Sequence, residues 1–458
     1  MDWIRLLNKH QLGENKSRKR KDERSEFQRD FDRIVFCSSF RRLQDKTQVF
    51  PLPETDFVHT RLTHSLEVSC VGRSLGNFVG ERVIKRHKTL QKDFSKFVFG
   101  EIVAAACLAH DIGNPPFGHS GEDAISDFFG RGPGSIFEAE INNSKKWNDL
   151  IHFEGNAEGF RTLTTLQNQG FKGGLRLTFA TLAALTKYPK ESFVADLQKK
   201  NSDKKSLRKF GFFQSEKKIF KTVAEEVGLQ KKTNNSKDYW WCRHPLAFLV
   251  EAADDICYRI MDLEDGYRLG LLSFGETEEL LMPLAGKSNL RFYNIRDNHD
   301  KIGYLRAKAI SNLVGELSEA FLDEERNILS GKYDDSLISA INKSRYLEEI
   351  KLRSVEKIYR FHSVVEREAA GYEVLGGLLE IFVQAVNDFA AGKMSPKNIT
   401  IINLIPRRFI FAPEDAQNDL YNRLLRILDF VSGMTDSFAV SLYRKLKGIS
   451  LPGGRITY

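Results

Sequence analysis

With 458 residues, 41% hydrophobic and 28% charged, the chain is too apolar for general disorder and long enough for one large helical body or two lobes. Lys and Arg number 69 against 61 Asp and Glu, a formal net charge of +8 that suits polyphosphate or nucleic acid as readily as a solvated basic face. Five cysteines without a C-x-x-C pair point to neither a disulfide framework nor a thiolate zinc site, and fit a reducing cytoplasm.

The opening Met-Asp-Trp-Ile-Arg-Leu-Leu lacks a secretory apolar region, and a short first helix leads into a charged arm over residues 14 to 26. From Phe27 to Asp127 the pattern is helical, apart from a turn or short hairpin near Val49 to Phe57 where Pro51 and Pro53 block helix. A helix over Thr63 to Phe78 sets His64, Val68, Val71 and Leu75 on one face. The next, Glu101 to Ala109, is almost continuously apolar yet too short to span a bilayer, so no membrane segment is expected. A Gly113 to Gly118 loop breaks it, and Ser120 with Asp123 reads as a capping box for the helix that follows.

Residues 130 to 149 read as an ordered loop, and 199 to 237 as a basic lid-like insertion around one amphipathic helix, Phe220 to Val227. A strong helix returns from Leu246 through Phe274, with Gly266 as a stop signal, and long helices run from Lys301 to Ala391. A short β candidate, Thr400 to Leu404 then Arg408 to Phe411, precedes a final helix pair. The expected architecture is all-α: an arm over 1–26, a helical core over 27–275, and a C-terminal helical region over 276–458 with that short β element.

The chemistry concentrates in residues 110 to 122, His-Asp-Ile-Gly-Asn-Pro-Pro-Phe-Gly-His-Ser-Gly-Glu. His110 and Asp111 leave a buried helix at its C-terminal end, where the dipole favours a cation. His64 alone reads more naturally as a hydrogen-bonded core histidine, and Arg61, one turn earlier, as a surface cation. Asp254, Tyr258 and Asp262 form a stripe at i, i+4 and i+8; taken alone it is a solvent-facing acidic face. Together, two imidazoles and two carboxylates suit octahedral Mg²⁺, Mn²⁺ or Fe²⁺ with open positions better than thiolate-rich zinc. His119 has the intrinsic pKa for moving a proton, with Glu122 to orient it or a water.

These residues resemble the HD-domain metal-dependent phosphohydrolases, and the flanking text resembles the bacterial dGTP triphosphohydrolases among them. The matching phrases are Phe40-Arg-Arg-Leu-Gln-Asp-Lys-Thr-Gln-Val-Phe-Pro51, Thr60-Arg-Leu-Thr-His-Ser-Leu-Glu-Val68, the 110 to 122 segment, Phe153-Glu-Gly-Asn-Ala157, Glu251-Ala-Ala-Asp-Asp-Ile256 and Ser432-Gly-Met-Thr-Asp436. The resemblance implies an all-α HD fold that hydrolyses a deoxynucleoside triphosphate at the α-phosphorus. It assigns a divalent metal (Mg²⁺ or Mn²⁺, with Fe²⁺ a further choice) to His64, His110, Asp111 and one Asp of the 254–255 pair. The resemblance favours Asp254, because family members keep a Tyr four and an Asp eight residues beyond the ligand, here Tyr258 and Asp262; Asp255 competes.

By the same carry-over His119 and Glu122 are catalytic, and Tyr258 packs on the deoxyribose with Asp262 in the same substrate-binding set. Asn156, Lys187, Tyr188 and Lys209 are implied contacts to nucleotide or polyphosphate, and Gln44 to the base or sugar; Arg61, one turn before His64, adds a fixed positive charge where an anion can approach. The resemblance also implies a cytoplasmic homo-oligomer, often a hexamer, with single-stranded DNA or a second dNTP as effector. Two rival readings remain: an HD phosphohydrolase for another nucleotide, and a non-catalytic oligomer that binds nucleotide or single strands.

Overall fold

In the computed structural model, which describes residues 1–14, 23–49, 59–195, 209–286, 290–411 and 418–450, the regular elements are helices. Those that frame the site are α1 (Glu26–Phe36), α2 (Arg61–Arg86), α3 (Val98–Ala109), α4 (His119–Gly130), α5 (Gly155–Arg161), α6 (Pro245–Arg268), α7 (Asn298–Leu329), α8 (His362–Ala390), α9 (Leu420–Ser432) and α10 (Asp436–Leu446). Their starts follow local chemistry. Ser25 and Gln28 form a capping box on α1, and Thr60 with Thr63 forms another on α2. His244 caps α6 ahead of Pro245, whose missing N–H is harmless in a first turn.

Apolar faces then decide the packing. The buried sides of α2, α3, α6 and α7 share one core through Val68, Ile102, Ile256, Leu313 and Phe321. A second core joins α4, α8 and α9 through Ile125, Leu375, Phe382, Leu428 and Phe430. Every residue of α3 except Glu101 is buried, which is why its sequence shows no polar face. Helix α8 is long and apolar enough to cross a membrane, but it packs here on α4 and α9 as a core helix.

Helices α2 and α3 approach closely because Gly72, Gly76 and Gly80 repeat every fourth residue on the contact face. A Cβ on Gly76 would lie 2.7 Å from the Gly100 Cα, and one on Gly72 would lie 2.4 Å from the Cys107 Sγ. A Gly to Ala change inside a helix ordinarily stabilises by about 1 kcal/mol. Here the Cβ meets backbone, and overpacking at about 1–3 kcal/mol wins. Gly76→Ala is therefore expected to lower stability, seen as an earlier urea midpoint.

Three expectations are corrected. Residues 400–402 belong to a helix, Pro396–Ile402, and Arg407–Phe409 form a 3-10 turn, so no strand occurs among the described residues. The Ser395 cap, accepting from Asn398 N at 3.1 Å, and Pro396 in the first turn outweigh the β-branched run. Helix α6 runs through Gly266 to Arg268, since Gly266 packs against Ile358 and the left-handed residue is Gly270, φ +73°. Gly118, not Ser120, caps α4; the Ser120 hydroxyl instead donates to the Phe117 carbonyl at 2.9 Å.

Most of the hairpin expected at 49–57, the middle of the arm and residues 199–208 of the basic insertion lie outside the described residues. The amphipathic helix of that insertion is Lys217–Glu226. All five cysteines are free thiols and four are buried.

Candidate active site

Helix ends bring the chemistry together. The N-terminus of α2 carries Arg61 and His64, the C-terminus of α3 passes directly into His110 and Asp111, and the middle of α6 supplies Asp254. Ligand atoms of His64, His110 and Asp111 lie within 4.8 Å of one another. The Asp254 Oδ1 is 3.3 Å from His64 Nε2 and 3.5 Å from His110 Nε2. His110 Nδ1 donates to the Cys107 carbonyl at 2.6 Å, which fixes the ring and turns Nε2 toward the carboxylates.

Asp111 is held from one side only. Its Oδ1 accepts from Arg61 Nη1 at 2.9 Å and from Asn114 Nδ2 at 2.6 Å, while its buried Oδ2 has no hydrogen-bond partner. An orphaned carboxylate oxygen beside two imidazoles and a second carboxylate is costly to bury, and is the arrangement a divalent cation relieves. The mixed nitrogen and oxygen donors fit Mg²⁺, Mn²⁺ or Fe²⁺.

The carboxylates and imidazoles of this cluster also set one another's charge. Burial opposes charge on His110, yet Asp111 and Asp254 raise it to about 9. Burial likewise penalises Asp254, but the adjacent His110 holds it well below the usual carboxylate range. Asp255 differs: burial pushes it up to about 6 against the pull of Lys187, and it accepts from Ser336 Oγ at 3.4 Å. Of the pair, Asp254 is the one that meets both imidazoles.

Beyond Asp111 the chain turns sharply. Phe117 at φ 65° and Gly118 at φ 60° place His119 as the first residue of α4. A Cβ on Gly118 would stand 2.5 Å from the Arg61 Nη2, so the turn needs glycine for conformation and for space. His119 Nδ1 lies 2.7 Å from Glu122 Oε2, and Glu122 Oε1 accepts from Gly155 N at 2.7 Å. The Glu122 hydrogen bond raises His119 above the ordinary imidazole range. Burial pushes Glu122 up, but His119 returns it below a free carboxyl. The imidazole stays 78% exposed because it faces an open cavity.

That cavity encloses about 1500 Å³, counting the part open to solvent. Arg61, His110, Asp111, His119, Glu122 and Asp254 line it together with Asn156, Lys187, Tyr188, Lys209 and Tyr258. Lys187 and Lys209 each sit 5.9 Å from the Tyr188 ring centre, and Lys187 pairs with Glu251 at 3.2 Å.

Residues 61–159 match the HD domain and residues 344–445 match the phosphohydrolase-associated domain. Over its whole length the chain is similar to a deoxyguanosinetriphosphate triphosphohydrolase-like protein of Synechocystis, 46% identical with 98% of this chain and 100% of the relative covered. The like-named protein of Listeria monocytogenes is 36% identical, with 98% and 100% covered. The deoxyguanosinetriphosphate triphosphohydrolase of Salmonella paratyphi A is 30% identical, with 92% and 94% covered. The chain belongs to the deoxyguanosinetriphosphate triphosphohydrolase-like family of HD-domain phosphohydrolases.

In this HD phosphohydrolase two residues expected at the substrate lie elsewhere. Gln44 is exposed on the 3-10 turn Leu43–Asp45, and Gln48, beyond that turn, lines the cavity in its place. Asp262 is buried outside the cavity, where its Oδ2 accepts from the Tyr359 hydroxyl at 2.7 Å and burial pushes its carboxyl up to about 8. Tyr359 stacks on Tyr258 with ring centres 5.7 Å apart.

The phosphohydrolase-associated region supplies cavity residues that sequence reasoning missed. Tyr359 lines the cavity, as does Arg367, which donates from Nη2 to the Val49 carbonyl at 2.8 Å and leaves Nε and Nη1 without a hydrogen-bond partner. Both sit in long helical text whose Leu and Val spacing gives a polar residue no distinguishing mark.

Proposed function

We propose that this HD phosphohydrolase cleaves deoxynucleoside triphosphates, dGTP foremost, into deoxynucleoside and intact triphosphate, and so controls deoxynucleotide pools. One observation carries the reading: the His64, His110 and Asp111 cluster, with Asp254 beside both imidazoles, and a His119–Glu122 pair adjoin one cavity that Lys187, Lys209 and Arg61 also line. The names of the relatives support dGTP as the substrate to try first.

His64, His110, Asp111 and Asp254 would hold the divalent ion. When bound, such an ion supplies Lewis acidity to a phosphoryl oxygen and acidifies a water. Lys187, Lys209 and Arg61 bind the phosphate chain and offset its charge. Water adds to the α-phosphorus, the bond from phosphorus to the 5′ oxygen breaks, and His119 delivers a proton to that departing oxygen. Glu122 keeps His119 oriented and charged for the transfer.

Tyr258 gives the sugar selectivity. Stacked on Tyr359, which is tethered to Asp262, its ring cannot swing aside for a 2′-hydroxyl. Tyr258→Ala is expected to narrow the preference for dGTP over GTP by about tenfold or more, read as the ratio of their kcat/KM values. An unchanged ratio removes Tyr258 from that role.

The reading as a whole is tested with the four dNTPs, alone and mixed, and the matching ribonucleotides, in Mn²⁺, with chromatographic identification of products. Triphosphate release from dNTPs with little from ribonucleotides is expected. Inert protein that binds single-stranded DNA tightly would favour a non-catalytic role.

A further inference from the structure

The segment Ser432-Gly-Met-Thr-Asp436 takes no part in the chemistry above, yet it is fastened to the catalytic loop. Asp436, 4% exposed at the start of α10, accepts three hydrogen bonds. Its Oδ2 receives Thr47 N at 3.2 Å and Thr47 Oγ1 at 2.7 Å, and its Oδ1 receives Phe117 N at 3.0 Å. Lys46 Nζ reinforces the join by donating to Ser432 O at 2.8 Å and to Asn114 O at 2.5 Å. Arg42 Nη1 adds a bond to Gly433 O at 2.7 Å. Three stretches remote in sequence, 42–47, 114–117 and 432–436, thus meet around one carboxylate and one ammonium.

The position of the third Asp436 bond matters. Phe117 holds φ 65°, a region an aromatic residue occupies only when its surroundings over-determine it. Asp436 accepts the N–H of that same residue, two positions before His119. An aspartate in a helix's first turn is commonly explained by the helix dipole alone. That explanation leaves unaccounted why both oxygens are spent on other segments.

We propose that Asp436 is a positioning residue for His119: by fixing the Phe117 peptide in its left-handed turn, it sets where the imidazole stands relative to the departing oxygen. The proposal rests on the reading of His119 as proton donor. Asp436 is not among the residues lining the cavity. It acts through the loop.

The test is Asp436→Asn, in which an amide NH₂ replaces one acceptor and faces either the Thr47 or the Phe117 N–H. Turnover of dGTP is expected to fall about 30-fold, because small misplacements of a reacting group are expensive. KM should move less than about twofold and Mn²⁺ affinity should hold, as neither depends on the loop angle. Deuterium exchange over residues 115–122 should quicken more than exchange in the helices of the core. In a His119→Ala background the same substitution should cost less than about twofold, the non-additivity of residues acting as one unit.

Thr47→Val, isosteric and missing one bond to Asp436, should act in the same direction by about threefold, and carries the test if Asp436→Asn fails to fold. Equal losses in both backgrounds, or unchanged exchange over 115–122, overturn the proposal. If the wild-type protein releases no triphosphate, the functional reading fails separately, and the exchange measurement alone still decides whether Asp436 holds the loop.

Discussion

Asp254→Ala is expected to lower turnover by about 1000-fold or more, equivalent to about 4 kcal/mol of transition-state stabilisation, and to abolish stoichiometric Mn²⁺ binding in calorimetry. The size follows from charge. Asp111 is already paired with Arg61 at 2.9 Å, so Asp254 is the carboxylate whose charge remains for a cation. Asp254 is also the group that reaches both imidazoles, at 3.3 and 3.5 Å. Without it a divalent ion meets two neutral rings and a compensated carboxylate. Asp254→Asn should behave alike, since it keeps the shape and loses the charge. The fold should persist, because the Asp254 side chain is only partly buried and His110 can give up the proton that its carboxylate neighbours favour. Full Mn²⁺ affinity in either variant would remove Asp254 from the site.

His119→Ala should lower kcat by about 10²–10⁴ with KM nearly unchanged, the range typical of a lost acid–base group. The pH profile gives the more specific signature. As a proton donor His119 must be charged, and the Glu122 bond raises its pKa above 6.5, so kcat should hold through that pH and fall only as pH rises through the raised value. Glu122→Gln removes the raising charge. Its alkaline fall should therefore begin at lower pH than in the wild type. The same alkaline limb in the wild type and in Glu122→Gln would show that another group supplies the proton.

The parts of the site legible in the sequence are those whose spacing is local. His110, Asp111, His119 and Glu122 fall within thirteen residues, and the end of one helix and the start of the next bring them to one cavity. The i, i+4 and i+8 register of Asp254, Tyr258 and Asp262 did mark one side of α6. It could not tell that Tyr258 faces the cavity while Asp262 reaches behind it to Tyr359. Gln44 lies in the 3-10 turn Leu43–Asp45 and Gln48 beyond it, past the Thr47 bridge to Thr60, and nothing in their neighbours indicates which glutamine turns inward.

Arg367 and Tyr359 enter the site through helices more than 200 residues downstream of the HD doublet, and Asp436 bonds Phe117 across 319 residues. Contacts of that kind belong to tertiary packing. The misread β element has a local cause: Ile and Thr favour strands in isolation, but Ser395 and Pro396 start a helix whose inner face, Ile401 and Ile402, is buried. The all-helical architecture was legible for the complementary reason, since three- and four-residue apolar spacing recurs over long windows.

The proposed reaction is metal-dependent attack of water on the α-phosphorus, with His64, His110, Asp111 and Asp254 to hold the ion. It is tested most directly by hydrolysing dGTP in ¹⁸O-labelled water with Mn²⁺ and weighing the products. Labelled intact triphosphate and unlabelled deoxyguanosine are expected, both lost when the metal is chelated or Asp254 is replaced by alanine. Label in the nucleoside, release of pyrophosphate or single phosphate as the first product, or undiminished turnover in chelator would contradict it.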